Sequence, residues 1–230
     1  MSVTASDLQQ FRETGGWRVL AGFARSMIAD AEEKAAGTRM NPQLGGGTRL
    51  MLAIGHRISD DIDLFIRDPQ WIGYLTPRLN DRFEAVINGY DESSTSLKLR
   101  LKEGEIDFIV GMSLLGLASE HDPAVPFELE PVEEVIAKKL FYRGWALTPR
   151  DLYDWRTVAT RPEFAHLEGL MRNLLDEDKR QAIRDALGAM SKAGSARSTW
   201  AAIRAPDKPG LDTAIEWGLD ALNRLSAPSP

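Results

Sequence analysis

Apolar positions recur near a 3.6-residue period from residue 5 to residue 35, at Leu8, Phe11, Trp17, Leu20, Phe23, Ala24 and Ile28. This predicts helix, and Gly15-Gly16 predicts a break in it. Residues 38–44 read as a strand entering three glycines, with Pro42 making it an edge or irregular strand. Residues 48–54 read as a short helix closed by Gly55. Residues 62–66 read as a strand in which acids and apolar residues alternate. A short helix follows over 71–79, crossed by Pro77, and then strands over 83–88 and 96–101. Glu103-Gly104 is a turn, and 105–110 returns as the second arm of a hairpin.

From Pro131 onward the period is helical. Pro131 suits a helix start, and Glu133 and Glu134 complement its dipole. A second helix opens at Thr148 or Pro149, and others are expected over 167–175, 179–190 and 211–225. Residues 191–200 read as a loop or helix start, and the tail SAPSP as frayed. The pattern predicts an α+β fold: a small mixed or antiparallel sheet with flanking helices over 1–130, then a helical half over 131–230. The Pro-bounded stretch Val125 to Pro131 is the expected boundary.

Composition is that of a globular chain, with 43% hydrophobic and 27% charged residues. Cysteine is absent, which excludes disulfides and thiolate metal sites and fits a reducing, cytoplasmic setting. The N-terminus lacks the basic and apolar regions of a signal peptide, and no apolar run is long enough to cross a bilayer. The net charge of −6 argues against general coating of nucleic acid. Its distribution is uneven: residues 1–130 carry 20 acids and 13 bases, residues 131–230 carry 14 and 15. Lys179 to Lys208 holds seven bases against two acids, which reads as a local basic surface or a solvated helix face.

Candidate chemistry concentrates in LGGGTRLMLAIGHRISDDIDLF, residues 44–65. Glycines allow a backbone to approach phosphate oxygens, and a following helix aims its N–H groups at them. Alternation puts Asp61 and Asp63 on one strand face. Paired carboxylates repel unless a cation lies between them, and hard oxygen ligands suit Mg²⁺, with Mn²⁺ as the alternative. In EIDFIV, Glu105 and Asp107 alternate with apolar residues in the same way. The histidines at 56, 121 and 166 have no zinc-site spacing, and GGGTRL lacks the lysine of a P-loop. The six tryptophans read as packing residues; for Trp145 and Trp155, stacking on a base is the alternative.

Gly46-Gly47, thirteen further residues and then Asp61-Ile62-Asp63 among apolar neighbours resemble the signature of the DNA-polymerase-β-like nucleotidyltransferases. With His56-Arg57-x-Ser59 between them, the wording resembles the AbiEii/AbiGii branch, toxins of bacterial toxin–antitoxin and phage-defence systems. The resemblance implies Mg²⁺ on Asp61, Asp63 and Asp107, with Glu105 as the substitute for Asp107. It implies nucleotide contacts from Gly46, Gly47, Thr48, Arg57 and Ser59. PVEEVIAKKLFYRG resembles the branch's third motif and implies Lys138, rather than Lys139, as a triphosphate ligand. Arg150-Asp151-Leu152-Tyr153-Asp154 resembles the fourth, with Asp151 as the matching acid. Asp151 then either orients Lys138 or acts as a base, and Arg150 either anchors Asp151 or touches phosphate. The implied activity moves a nucleoside monophosphate from an NTP to a hydroxyl of RNA (tRNA-like) or protein, with a cognate antitoxin as a further partner and no membrane. A nucleotide-binding regulatory module without transfer is the alternative, and a plain interaction protein a third reading.

Overall fold

The structure, a computed structural model, describes residues 3–226. Of the expected tail, 227–230 lie outside the described residues. Contacts divide the chain into two units. One comprises Ala5–Ser113 and Leu117–Pro131; the other comprises Leu114–Gly116 and the chain from Val132 onward.

The first unit opens with helices α1 (Ala5–Thr14) and α2 (Trp17–Lys34), broken at Gly15-Gly16. Strand β1 (Gln43–Gly45) runs into α3 (Gly46–Ile54), and β2 (Ile62–Ile66) into α4 (Gln70–Leu75). Then come β3 (Gly89–Glu92), β4 (Ser96–Arg100), β5 (Glu105–Val110) and β6 (Glu128–Leu129). Among the described residues the strands form one mixed sheet in the order β3-β4-β5-β2-β1-β6. β2 runs parallel to β5, and β1 parallel to β6; the other neighbours are antiparallel.

Period-two patterning gives the sheet one dry face. Ile62, Leu64 and Ile66 of β2, Leu97 and Leu99 of β4, and Ile106 and Phe108 of β5 are fully buried. α2 packs on β2 and β5 with Leu20, Ala24, Met27, Ile28 and Ala31 inside. Asp63, Lys98 and Asp107 alternate with these residues and so take the opposite face.

The sequence reading differs in several details: the helix expected over 71–79 ends at Leu75, where Thr76 turns extended ahead of Pro77, and β3 was not read. β1 starts only at Gln43, because Asn41 adopts φ +47 and Pro42 has no N–H to give to a ladder. It is not an edge strand: the expected boundary segment contributes β6, which covers its outer side. Residues 83–88 are not a strand either. Asp81–Val86 is a 3-10 helix, capped by the Asn80 side chain, whose amide also donates to buried Asp30 at 2.7 Å. Phe83 turns its ring edge-on to Phe23 of α2, a tertiary contact that outweighs local β propensity.

The second unit is helical: α5 (Val132–Arg143), α6 (Pro149–Ala159), α7 (Leu167–Leu174), α8 (Glu177–Lys192), α9 (Gly194–Ala201) and α10 (Leu211–Ser226). The stretch read as loop or helix start is thus α9, held by buried Ala196 and by Trp200 edge-on to Tyr153. α10 packs on α6, α7 and α8. Gly218 lets Leu152 and Leu187 close over α10, and Trp155 packs edge-on to Trp217 at 5.0 Å. No helix among the described residues is long and apolar enough to cross a membrane.

Candidate active site

The three glycines each have a different neighbour. A Cβ at Gly45 would lie 2.5 Å from Glu130 Oε2 and 2.6 Å from the Phe65 ring. Gly46 has φ +62, and a Cβ there would lie 1.7 Å from Asp63 Oδ2. A Cβ at Gly47 would lie 2.6 Å from both Arg57 Nη2 and Ser59 Oγ. The bare turn thus lets Asp63, Arg57 and Ser59 close on the start of α3. Thr48 is fully buried; its hydroxyl donates to the backbone carbonyls of Asp61 and Ser59, which fixes the first turn of α3 to the segment before β2. His56 and Arg57 are also buried, and Arg57 Nη1 donates to the Ile58 carbonyl at 3.2 Å.

Register brings the acids to this turn. Gly45 pairs with Asp63 across β1 and β2, and Asp63 pairs with Asp107 across β2 and β5. Neighbouring strands lie about 4.8 Å apart, so the two carboxylates project side by side. Asp61 precedes the strand, and its Oδ1 accepts the Glu105 N–H at 2.9 Å, pinning the start of β5. Lys98, opposite Asp107 on β4, places Nζ 2.9 Å from both Asp107 Oδ2 and Glu105 Oε2. Partial burial pushes the Asp107 carboxyl above its ordinary range; Lys98 opposes this, while the Glu105 and Asp61 charges add to it. Burial works against the Lys98 charge, but Glu105 and Asp107 more than offset it and raise its pKa.

Among the described residues no ready-made group of three or more His, Asp and Glu side chains encloses a metal position. The donors present nonetheless fit a divalent cation of the Mg²⁺ class. They are hard carboxylate oxygens on adjacent strands, Asp107 is raised first by burial and further by like charge, and Asp63 reaches the start of α3 only because Gly46 lacks a Cβ.

In the second unit, Asp151 is the third residue of α6 and closes a capping box with Thr148. It is buried, with Lys139 Nζ at 2.6 Å and Arg143 Nη2 at 3.3 Å; Lys139 also reaches buried Asp154 at 3.2 Å. Burial favours the protonated Asp151, but Lys139, Arg143 and Thr148 outweigh it and hold the carboxyl below its ordinary range. The lysine that grips Asp151 is therefore Lys139. Lys138 and Glu134 are buried too, and Glu134 accepts the N–H groups of Leu114 and Leu115 at 2.6 and 3.0 Å.

Residues 43–222 match the family model described as Nucleotidyl transferase AbiEii toxin, Type IV TA system. The chain belongs to the AbiEii family. Like the family, it is a nucleotidyltransferase. No protein of curated function matches this AbiEii chain. Two solved structures resemble it at low identity. JHP933 from Helicobacter pylori is 14% identical with a TM-score of 0.45, over 90% of this chain and 91% of that one. The antibiotic-resistance factor ANT(2'')-Ia is 16% identical with a TM-score of 0.47, over 76% of this chain and 96% of that one.

Sequence reasoning missed Lys98 and the Lys139–Asp151 pairing. Lys98 carried a signal: a hairpin turning at 103–104 sets 98 opposite 107. The Lys139 pairing carried a weaker one, since Thr148-x-x-Asp151 has the spacing of a capping box and so marks Asp151 as a buried helix start in need of a cation.

Proposed function

We propose that this AbiEii protein transfers a nucleoside monophosphate from an NTP to a hydroxyl of an RNA acceptor. The observation that carries this reading is the register of Gly45, Asp63 and Asp107, which joins a glycine turn opening a helix to two adjacent carboxylates. The N–H groups at the start of α3 bind phosphate oxygens beside Asp63, Arg57 and Ser59, which glycine at 46 and 47 admits to the turn. Asp63, Asp107 and Asp61 would hold the divalent ion, which when bound neutralises phosphate charge during displacement. Lys98 keeps Asp107 in place, and Arg57 braces the glycine turn from its buried position. Lys138 is assigned to the triphosphate on its motif alone, with Asp151 fixing the start of α6. The acceptor hydroxyl attacks the α-phosphorus, the bond to the bridging oxygen breaks, and pyrophosphate leaves. A cognate antitoxin opposes this activity, as the family description implies.

The test is incubation with each α-labelled NTP, Mg²⁺ and total RNA, beside Asp63→Asn. Label in an RNA band from the wild type, with transfer reduced at least ~100-fold in the folded variant, is the expected result. Full activity of that variant would refute the carboxylate assignment, and label on protein alone would replace the acceptor.

A further inference from the structure

Four of the six tryptophans (Trp17, Trp71, Trp155 and Trp200) are buried, and Trp217 packs edge-on to Trp155. Trp145 is 74% exposed and, among the described residues, has no ring or hydrogen-bond contact. It sits in the 3-10 turn Gly144–Ala146 that follows α5. That turn is pinned, because Gly144 lies so close to Ile183 of α8 that a Cβ would come within 2.6 Å of Ile183 Cγ1. Tyr142 lies three residues earlier and is 51% exposed. Both rings are exposed, three residues apart across the end of α5. The Tyr142 ring is braced edge-on by Phe141 at 5.1 Å, and Lys179 Nζ lies 4.4 Å from the Phe141 ring centroid.

The sequence that carries these rings is basic. Between Glu134 and Asp151 the sequence carries Lys138, Lys139, Arg143 and Arg150 and no acid. Arg143 is 57% exposed although one of its nitrogens is paired with Asp151, and Arg150 is exposed with no ion pair among the described residues. Among the described residues most of the basic stretch 179–208 is already paired, Lys192 excepted. Arg180 and Arg184 are tied to Glu177, Arg197 to Asp212, and Lys208 to the carbonyls of Trp200, Ala201 and Ile203. Exposed rings flanked by cations match an unpaired base and its phosphates; duplex RNA offers no free base face.

We propose that Trp145 and Tyr142 stack unpaired bases of a single-stranded RNA acceptor, whose phosphates meet Arg143 and Arg150. This deepens the RNA-acceptor reading above and rests on it.

The test is fluorescence anisotropy of the full-length protein with a short labelled single-stranded RNA, the same sequence as duplex, and calorimetric titration of each NTP with Mg²⁺. Trp145→Ala should weaken single-strand binding roughly tenfold, Trp145→Phe should retain most of it, and NTP binding should not change. Unchanged RNA affinity in Trp145→Ala overturns the proposal. So does loss of NTP binding, which would assign the ring to the nucleotide. A wild type that binds no RNA yet labels a protein refutes the RNA surface and leaves nucleotidyl transfer intact. Single-strand binding that depends on Trp145, with no transfer to any acceptor, supports the surface while the function proposed above fails.

Discussion

A methyl group added at position 46 meets two obstacles. Gly46 holds φ +62, which L side chains rarely adopt, and Asp63 Oδ2 occupies the space a Cβ would need. Gly46→Ala should lower stability by about 1–3 kcal/mol in a urea melt and cut transfer at least ~10-fold, because Asp63 must move. Gly73 has nothing within 4 Å of an added Cβ, so Gly73→Ala serves as the control and should leave transfer unchanged. At this scale the residues were readable where chemistry and spacing coincide, as for Asp63 beside the glycines. Thr48 was readable only in part. A threonine after glycines suggests a phosphate contact, yet its hydroxyl goes to the carbonyls of Ser59 and Asp61.

Helix α6 depends on its first turn, where Thr148 and Asp151 cap each other and Pro149 presets the backbone. Thr148→Ala should cost about 1 kcal/mol, read as a lower thermal midpoint. Asp151 adds a pH dependence of defined sign. Its folded pKa is lowered, so its stabilisation is complete above the unfolded value near ~4 and is lost as pH falls through the folded value. The stability margin of wild type over Asp151→Asn should therefore be widest near neutrality and vanish in acid. Elements were legible when one face decides their register. β2 and the β4–β5 hairpin alternate strictly, so their bounds follow from sequence. β6 is two residues long and has no pattern to read, and the 3-10 helix at 81–86 exists because Asn80 and Phe83 engage α2.

For the whole molecule the carboxylates predict a ligand-linked stability. Mg²⁺ should raise the thermal midpoint of the wild type by mass action and leave Asp63→Asn/Asp107→Asn unmoved, as differential scanning fluorimetry would show. An equal rise in both proteins would place the ion elsewhere. The parallel pairing of β2 with β5 also has a consequence in time. Antiparallel neighbours can meet through a tight turn, but Asp63 and Asp107 meet only after α4, β3 and β4 have been laid down between them. Closing so long a loop is slow beside forming the β4–β5 hairpin. In pulsed amide exchange during refolding, the hairpin should gain protection before β2 does. A newly made chain therefore carries its glycine turn and first acids before the proposed site is assembled, and on that reading transfers nothing until the parallel strands join.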